Sequence, residues 1–210
     1  MAFSSNAFHQ RIRRALCEDW PSAARAPLWK TTPFRREALD VVPLAGPRLP
    51  EPKRAGEVGA EDCGICGRAA ELDVWANARW RLYLPDSDFA VPLLLVLAPK
   101  THLDIGQLAP DLAQEMGALL VKVVQAVEAL PGIARAHVCR WGDGAFHLHL
   151  LVYARPEGFD QLRGTWLQIW DLVLPTADHQ IASDLAGEVG RTLRATFAPS
   201  TGSTAGGMTS

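Results

Sequence analysis

No run in this 210-residue sequence is long and apolar enough to cross a bilayer. The longest strongly apolar run, Val91 to Ala98, falls well short of the roughly 20 residues a spanning helix requires. The N-terminal stretch lacks the apolar centre of a signal peptide, because His9, Arg11, Arg13 and Arg14 interrupt it. A cytoplasmic protein with no membrane partner is therefore expected. Charge of either sign is not in excess: 21 Lys and Arg stand against 23 Asp and Glu, a net −2. That balance excludes a general attraction to nucleic acid or to anionic membranes, so any phosphate bound here must be held by a local site. Cysteine is scarce. Four residues, at 17, 63, 66 and 139, argue against a disulfide scaffold in a reducing compartment. No internal repeat is visible.

What is present fits one good-sized domain with extensions. Phe8, Ile12, Ala15 and Leu16 recur at helical spacing, which predicts an amphipathic helix within residues 1–20. Between Pro21 and Gly59, six further prolines, from Pro27 to Pro52, exclude long helices. Residues 1–59 thus form an N-terminal extension, a helix plus a Pro-rich segment. The compact domain, 60–175, starts at Cys63-Gly64-Ile65-Cys66. Leu72 to Ala76 and Trp80 to Leu84 are predicted strands around an Asn77-Ala78-Arg79 turn, and Val91 to Leu97 is a fully apolar strand. The clearest helix spans Pro110 to Leu130, where Leu112, Met116, Leu119, Leu120, Val123, Val127 and Leu130 make one stripe and Pro131-Gly132 stops it. Ala136 to Trp141 and His147 to Ala154 read as a hairpin around Gly142-Asp143-Gly144. Helices are expected over Phe159 to Leu174 and Ala182 to Phe197, the second making a C-terminal unit of 176–197. A Ser/Thr/Gly/Ala-rich tail, 198–210, is expected to be disordered. The fold class that follows is α+β, an antiparallel sheet with a long packed helix.

The residues that carry chemistry cluster in two places. In Phe146-His147-Leu148-His149-Leu150-Leu151-Val152, a strand's period of two turns Phe146, Leu148, Leu150 and Val152 to a core. His147, His149 and Leu151 fall on the other face. Two imidazoles in a row need hydrogen-bond partners or a function. The second place is Cys63-x-x-Cys66, followed by Gly67 and a hairpin, which reads as a metal knuckle. The bland reading is two reduced thiols in a turn. A structural zinc ion needs two more ligands, and His102 and His147 are the best placed. A closed site using both His147 and His149 is the alternative, and it would leave no nucleophile. Cys139 and Trp141 are expected to be buried, and no role falls to His9, His137 or His179.

The order Pro99-Lys100-Thr101-His102, a long helix, then Gly142 and His147-Leu148-His149-Leu150-Leu151-Val152-Tyr153-Ala154-Arg155 resembles the histidine triad (HIT) superfamily of nucleotide hydrolases and transferases. The resemblance covers about residues 60–156. It implies a HIT-like sheet with a packed helix, a nucleotide or nucleotidyl small-molecule ligand, and a possible homodimer. It also implies that His149 is the nucleophile forming a nucleotidyl-histidine intermediate. Zinc-containing members, and the related galactose-1-phosphate uridylyltransferases, place their metal on positions that match Cys63, Cys66, His102 and His147. Arg155, Arg140 and the Gly142-Asp143-Gly144 turn are the candidate substrate-binding groups. Two positions depart from the family pattern. Leu151 replaces the third histidine, and Asp143 replaces a glutamine.

Overall fold

The structure, a computed structural model, describes residues 46–198. The expected helix of residues 1–20, the Pro-rich stretch up to 45 and the tail from 199 lie outside the described residues. Five strands, β1 (Asp73–Ala76), β2 (Trp80–Tyr83), β3 (Leu94–Pro99), β4 (Ile133–Cys139) and β5 (Leu150–Pro156), form one sheet in the order β1-β2-β3-β5-β4. Every neighbouring pair is antiparallel. Three helices accompany it: α1 (Pro110–Glu128), α2 (Trp166–Val173) and α3 (His179–Thr196). The expected α+β class is the one observed.

Alternation along the strands sorts the core into two layers. Trp80 and Leu82 of β2, Leu95 and Leu97 of β3, and Leu150, Val152 and Ala154 of β5 face one way. There they meet Leu112, Leu119, Val123 and Val127 of α1, joined by Ala186, Val189 and Leu193 of α3. On the opposite face, Tyr83, Val96 and Ala98 pack with Ile65 and Leu151, while Leu94 and Tyr153 pack with Leu162, Leu167 and Ala182. Strand β3 is buried along its whole length, as its continuous apolar run requires. Helix α3 reaches the β1 edge at Gly190, where an added Cβ would stand 2.5 Å from the Val74 carbonyl oxygen. Arg194 Nη1 donates to that same oxygen at 2.8 Å.

Three expectations are corrected here. The tight hairpin at Gly142 is absent, because β4 and β5 first pair at Cys139 and Leu151 and the connection between them is long. Residues 144–146 bond instead to Ala55, which donates to the Gly144 carbonyl and accepts from Phe146 N–H at 3.1 and 2.8 Å. A strap centred on Arg54–Glu57 thus lies against this connection. Trp141, in the same connection beyond the last strand pair, is 57% exposed and not buried. Helix α2 starts at Trp166, since a 3-10 turn over Asp160–Leu162 and Gly164 at φ +63° interrupt the expected helix.

One buried ion pair ties the sheet to the Cys63–Cys66 loop. Arg81 of β2 donates to Asp73 at 2.9 Å and to the carbonyls of Ile65, Arg68 and Ala69 at 3.3, 3.1 and 3.0 Å. Both side chains are over nine-tenths buried. Truncating Arg81 to Ala strands a buried carboxylate and three carbonyls, so a loss of about 3–5 kcal/mol in chemical denaturation is expected. An unchanged unfolding midpoint would show that the pair contributes nothing.

Candidate metal centre and histidine segment

Cys63, Cys66, His102 and His147 come from three separate stretches, and their ligand atoms lie within 4.8 Å of one another. Cys63 Sγ is 3.3 Å from His147 Nδ1, and Cys66 Sγ is 3.2 Å from His102 Nδ1 and 3.4 Å from His147 Nδ1. Sulfur and nitrogen ligands on a tetrahedral ion stand about 3.5 Å apart, given bonds of about 2.3 and 2.0 Å. The four donors thus have the spacing of one four-coordinate site.

The tautomers fit as well. His102 Nε2–H donates to the Gly56 carbonyl at 3.0 Å, and His147 Nε2–H donates to the Pro99 carbonyl at 2.9 Å. A carbonyl only accepts, so each proton sits on Nε2 and each Nδ1 lone pair is turned toward the thiols. Gly56 has φ +77°, and a Cβ there would meet Cys63 Cβ at 2.9 Å and His102 Cε1 at 3.0 Å. Only glycine lets the strap close this near to the site. The arrangement could hold a metal ion on two thiolates and two neutral imidazoles.

Burial pushes the Cys66 thiol up to about 11, helped by its hydrogen bond with Cys63. Burial above all also pushes the His147 imidazole below its ordinary value. A bound cation must therefore displace thiol protons, and its affinity rises with pH. Since binding can displace up to two thiol protons, the association constant is expected to fall by up to about a hundredfold per unit as pH drops from 8 to 7. Competition with a colorimetric chelator at each pH measures this. A flat profile would remove the thiolates from the ligand set.

His149 is not in that cluster. Both histidines precede β5, which begins at Leu150, and they are held without a β4 partner. The intervening Leu148 is fully buried and its N–H donates to the Leu103 carbonyl at 2.7 Å. With Leu148 inward, the two rings share the other side, as the alternation requires. His149 Nδ1 donates to its neighbour's main chain, the His147 carbonyl, at 2.7 Å. The same reasoning puts a proton on Nδ1, so the neutral form of this ring carries its lone pair on Nε2. The four donors that lie together thus include His102 and not His149. Phe146, expected in the core, packs instead beside the His102 ring at 5.9 Å and under the Arg54 guanidinium at 4.8 Å.

The candidate substrate-binding groups divide. Arg140 lies against Gly142, where a Cβ would touch its guanidinium, and Arg140 also donates to Asp104 at 2.6 Å. Arg54 bonds the other Asp104 oxygen at 2.8 Å and the Gly142 carbonyl at 2.9 Å. Burial works to raise the Asp104 carboxyl, but hydrogen bonds from Arg54, the Ile105 N–H and Arg140 hold it at about 2. Asp143 and Gly144 line an open groove with Glu51, Lys53, Arg54 and Glu57. Arg155 is not brought to His149. They stand six positions apart on extended chain, on the order of 20 Å. Cys139, expected to be buried, is half-buried and takes the Gln168 amide at 2.7 Å. His137 bonds the Gly164 backbone. Sequence reasoning missed Arg54, Gly56, Arg81 and Asp104; only Asp104, two residues after a ligand, carried any positional hint.

No family model matches the sequence, and no curated protein matches it. Solved structures do. A zinc-bound histidine triad family protein from Mycobacterium smegmatis superposes with a TM-score of 0.50 at 20% identity, over 66% of this chain and 99% of that one. A hypothetical histidine triad nucleotide-binding protein from Sulfolobus tokodaii gives 0.48 at 14% identity, over 63% and 93%. A uridylyltransferase structure gives 0.43 at 20% identity, over 64% of this chain and 46% of that one. The chain has the histidine triad fold, a likeness carried by the first of these.

Proposed function

We propose that this chain is a zinc-containing nucleotidyl hydrolase or transferase of histidine triad type, with His149 as nucleophile. The observation that carries the reading is the His149 Nδ1 bond to the His147 carbonyl, which in the neutral ring puts the lone pair on Nε2, two residues from the four candidate metal donors. A neutral imidazole in that state is a nucleophile without further activation. Its Nε2 lone pair would form a P–N bond to the α-phosphorus of a nucleoside phosphate ester, anhydride or amide. The bond to the leaving group breaks, and that group departs with the bonding pair and takes a proton from solvent. Water or an acceptor hydroxyl then attacks phosphorus, gives up its proton and returns the electron pair to His149.

Zinc on Cys63, Cys66, His102 and His147 would supply a rigid anchor two residues from His149. Main-chain N–H groups of the Gly142–Gly144 turn and the Arg140 guanidinium are the donors proposed for the phosphate oxygens. A dinucleoside polyphosphate is the default substrate class, from the family resemblance. The test is incubation with an α-phosphate-labelled nucleotide, followed by mapping of acid-labile label on the protein. Label at His149 supports the reading. Neither label nor turnover across a panel of mononucleotides, dinucleotides and phosphoramidates would sink it.

One observation favours a second reading, a binding module without turnover. Leu151 packs with Tyr83, Val96 and Ala98, so its position offers no donor to a phosphate. That module would show nucleotide-dependent thermal stabilisation with no product formed.

A further inference from the structure

The sheet face opposite α1 carries a second polar cluster at the far end of β5. Register sets Arg135 of β4 opposite Arg155 of β5, with His137 opposite Tyr153 one step along the same face. Arg155 is 8% exposed. Its hydrogen bond runs from Nη1 to the Pro156 carbonyl at 3.3 Å, and its buried Nε has no acceptor. No ion pair among the described residues involves Arg135 or Arg155. Glu128 acts on His137 through its charge, and its Oε1 accepts the Ala136 N–H at 3.0 Å. Asp160 is paired with Arg163 at the surface.

Such an arrangement is costly on three counts. Like charges directly opposite on an antiparallel pair repel. A guanidinium nine-tenths buried with one long hydrogen bond loses hydration that nothing repays. His137 beside it, held below its ordinary pKa by burial first and then by the Arg155 charge, offers no negative charge in either protonation state. The missing component is a negative group with several acceptor oxygens, which a planar guanidinium binds through paired N–H groups.

We infer that Arg155, with Arg135 across the strand pair, forms a binding site for a small oxyanion, the phosphate or carboxylate group of a metabolite. The site is separate from His149, about 20 Å away along the strand. It does not rest on the catalytic reading.

The test is thermal unfolding of the metal-loaded full chain in phosphate, in acetate, and in chloride at matched ionic strength. Phosphate, acetate or both should raise the wild-type midpoint saturably by a few degrees beyond chloride. The responding anion identifies the source, and His149→Ala should respond identically. Arg155→Met should lose the response and be at least as stable as wild type in anion-free buffer. Should Arg155→Met fail to fold, Arg135→Gln at the exposed partner reads the same site, with the half-saturating concentration raised about tenfold or more. No response beyond chloride in the wild type overturns the inference. So does a response that survives in Arg155→Met or is lost in His149→Ala.

Discussion

Replacing His149 with alanine is expected to abolish covalent labelling by an α-labelled nucleotide and to lower turnover by about 10⁴-fold or more. Metal content and unfolding midpoint should stay close to wild type. The split follows from the geometry. His149 Nδ1 bonds only the main-chain carbonyl of His147, and no hydrogen bond holds its Nε2 among the described residues. His147, two residues earlier, is 1% exposed, bonded to Pro99 and set among the thiols. His147→Ala should therefore fail differently, losing metal before it loses anything else. Metal loss from His149→Ala would place that residue in the coordination sphere and remove the nucleophile. Retained turnover in the same variant would remove the covalent mechanism while leaving the metal centre intact.

The second large effect concerns the metal. Cys63→Ala is expected to reduce bound zinc from one equivalent to a small fraction, and to lower the unfolding midpoint by roughly 10 °C or more. Chelation of the wild-type protein should reproduce the shift. Cys63 is 3% exposed and lies under Gly56 of the strap, so the ion would fasten the strap, the knuckle, the β3 end and the histidine segment in one place. Without it, one buried thiol, one partly buried thiol and two imidazoles are left to bond one another. Cys139→Ala is the control, because that residue lies on β4 beside Gln168 and away from the four donors; its metal content should not change. Less than stoichiometric metal in protein purified with added zinc, or full metal in Cys63→Ala, would contradict the assignment.

Much of this was readable from the sequence, for a definite reason. The four metal donors are rare residue types, in a Cys-x-x-Cys pair and at the two histidines nearest apolar strands, so chemistry alone narrowed them. Periodicity did the same for the α1 stripe and for the inward set Leu148, Leu150 and Val152. The parts that stayed hidden are common residues in distant contacts. Arg54 meets Gly142 across 88 positions and Asp104 across 50, and nothing in an arginine inside a Pro-rich stretch marks it as a brace. The hairpin at Gly142-Asp143-Gly144 was misread because turn chemistry is local, whereas the backbone groups of 144 and 146 are satisfied by Ala55. Arg155 is a candidate phosphate donor on sequence grounds, but spacing in a sequence does not say how far a straight strand carries a side chain.

The closure of β1 by α3 bears on how copies of this chain could meet. At that margin the outward Val74 carbonyl is already taken by Arg194, and Gly190 presses the helix against it. In the described sheet only β4 keeps a free margin, with Val138 and Trp141 exposed near it. Among the described residues, strand-to-strand association then has a single socket. Two copies joined there by a twofold axis consume it on both sides, so growth stops at a pair and a continuous ribbon has no route to form.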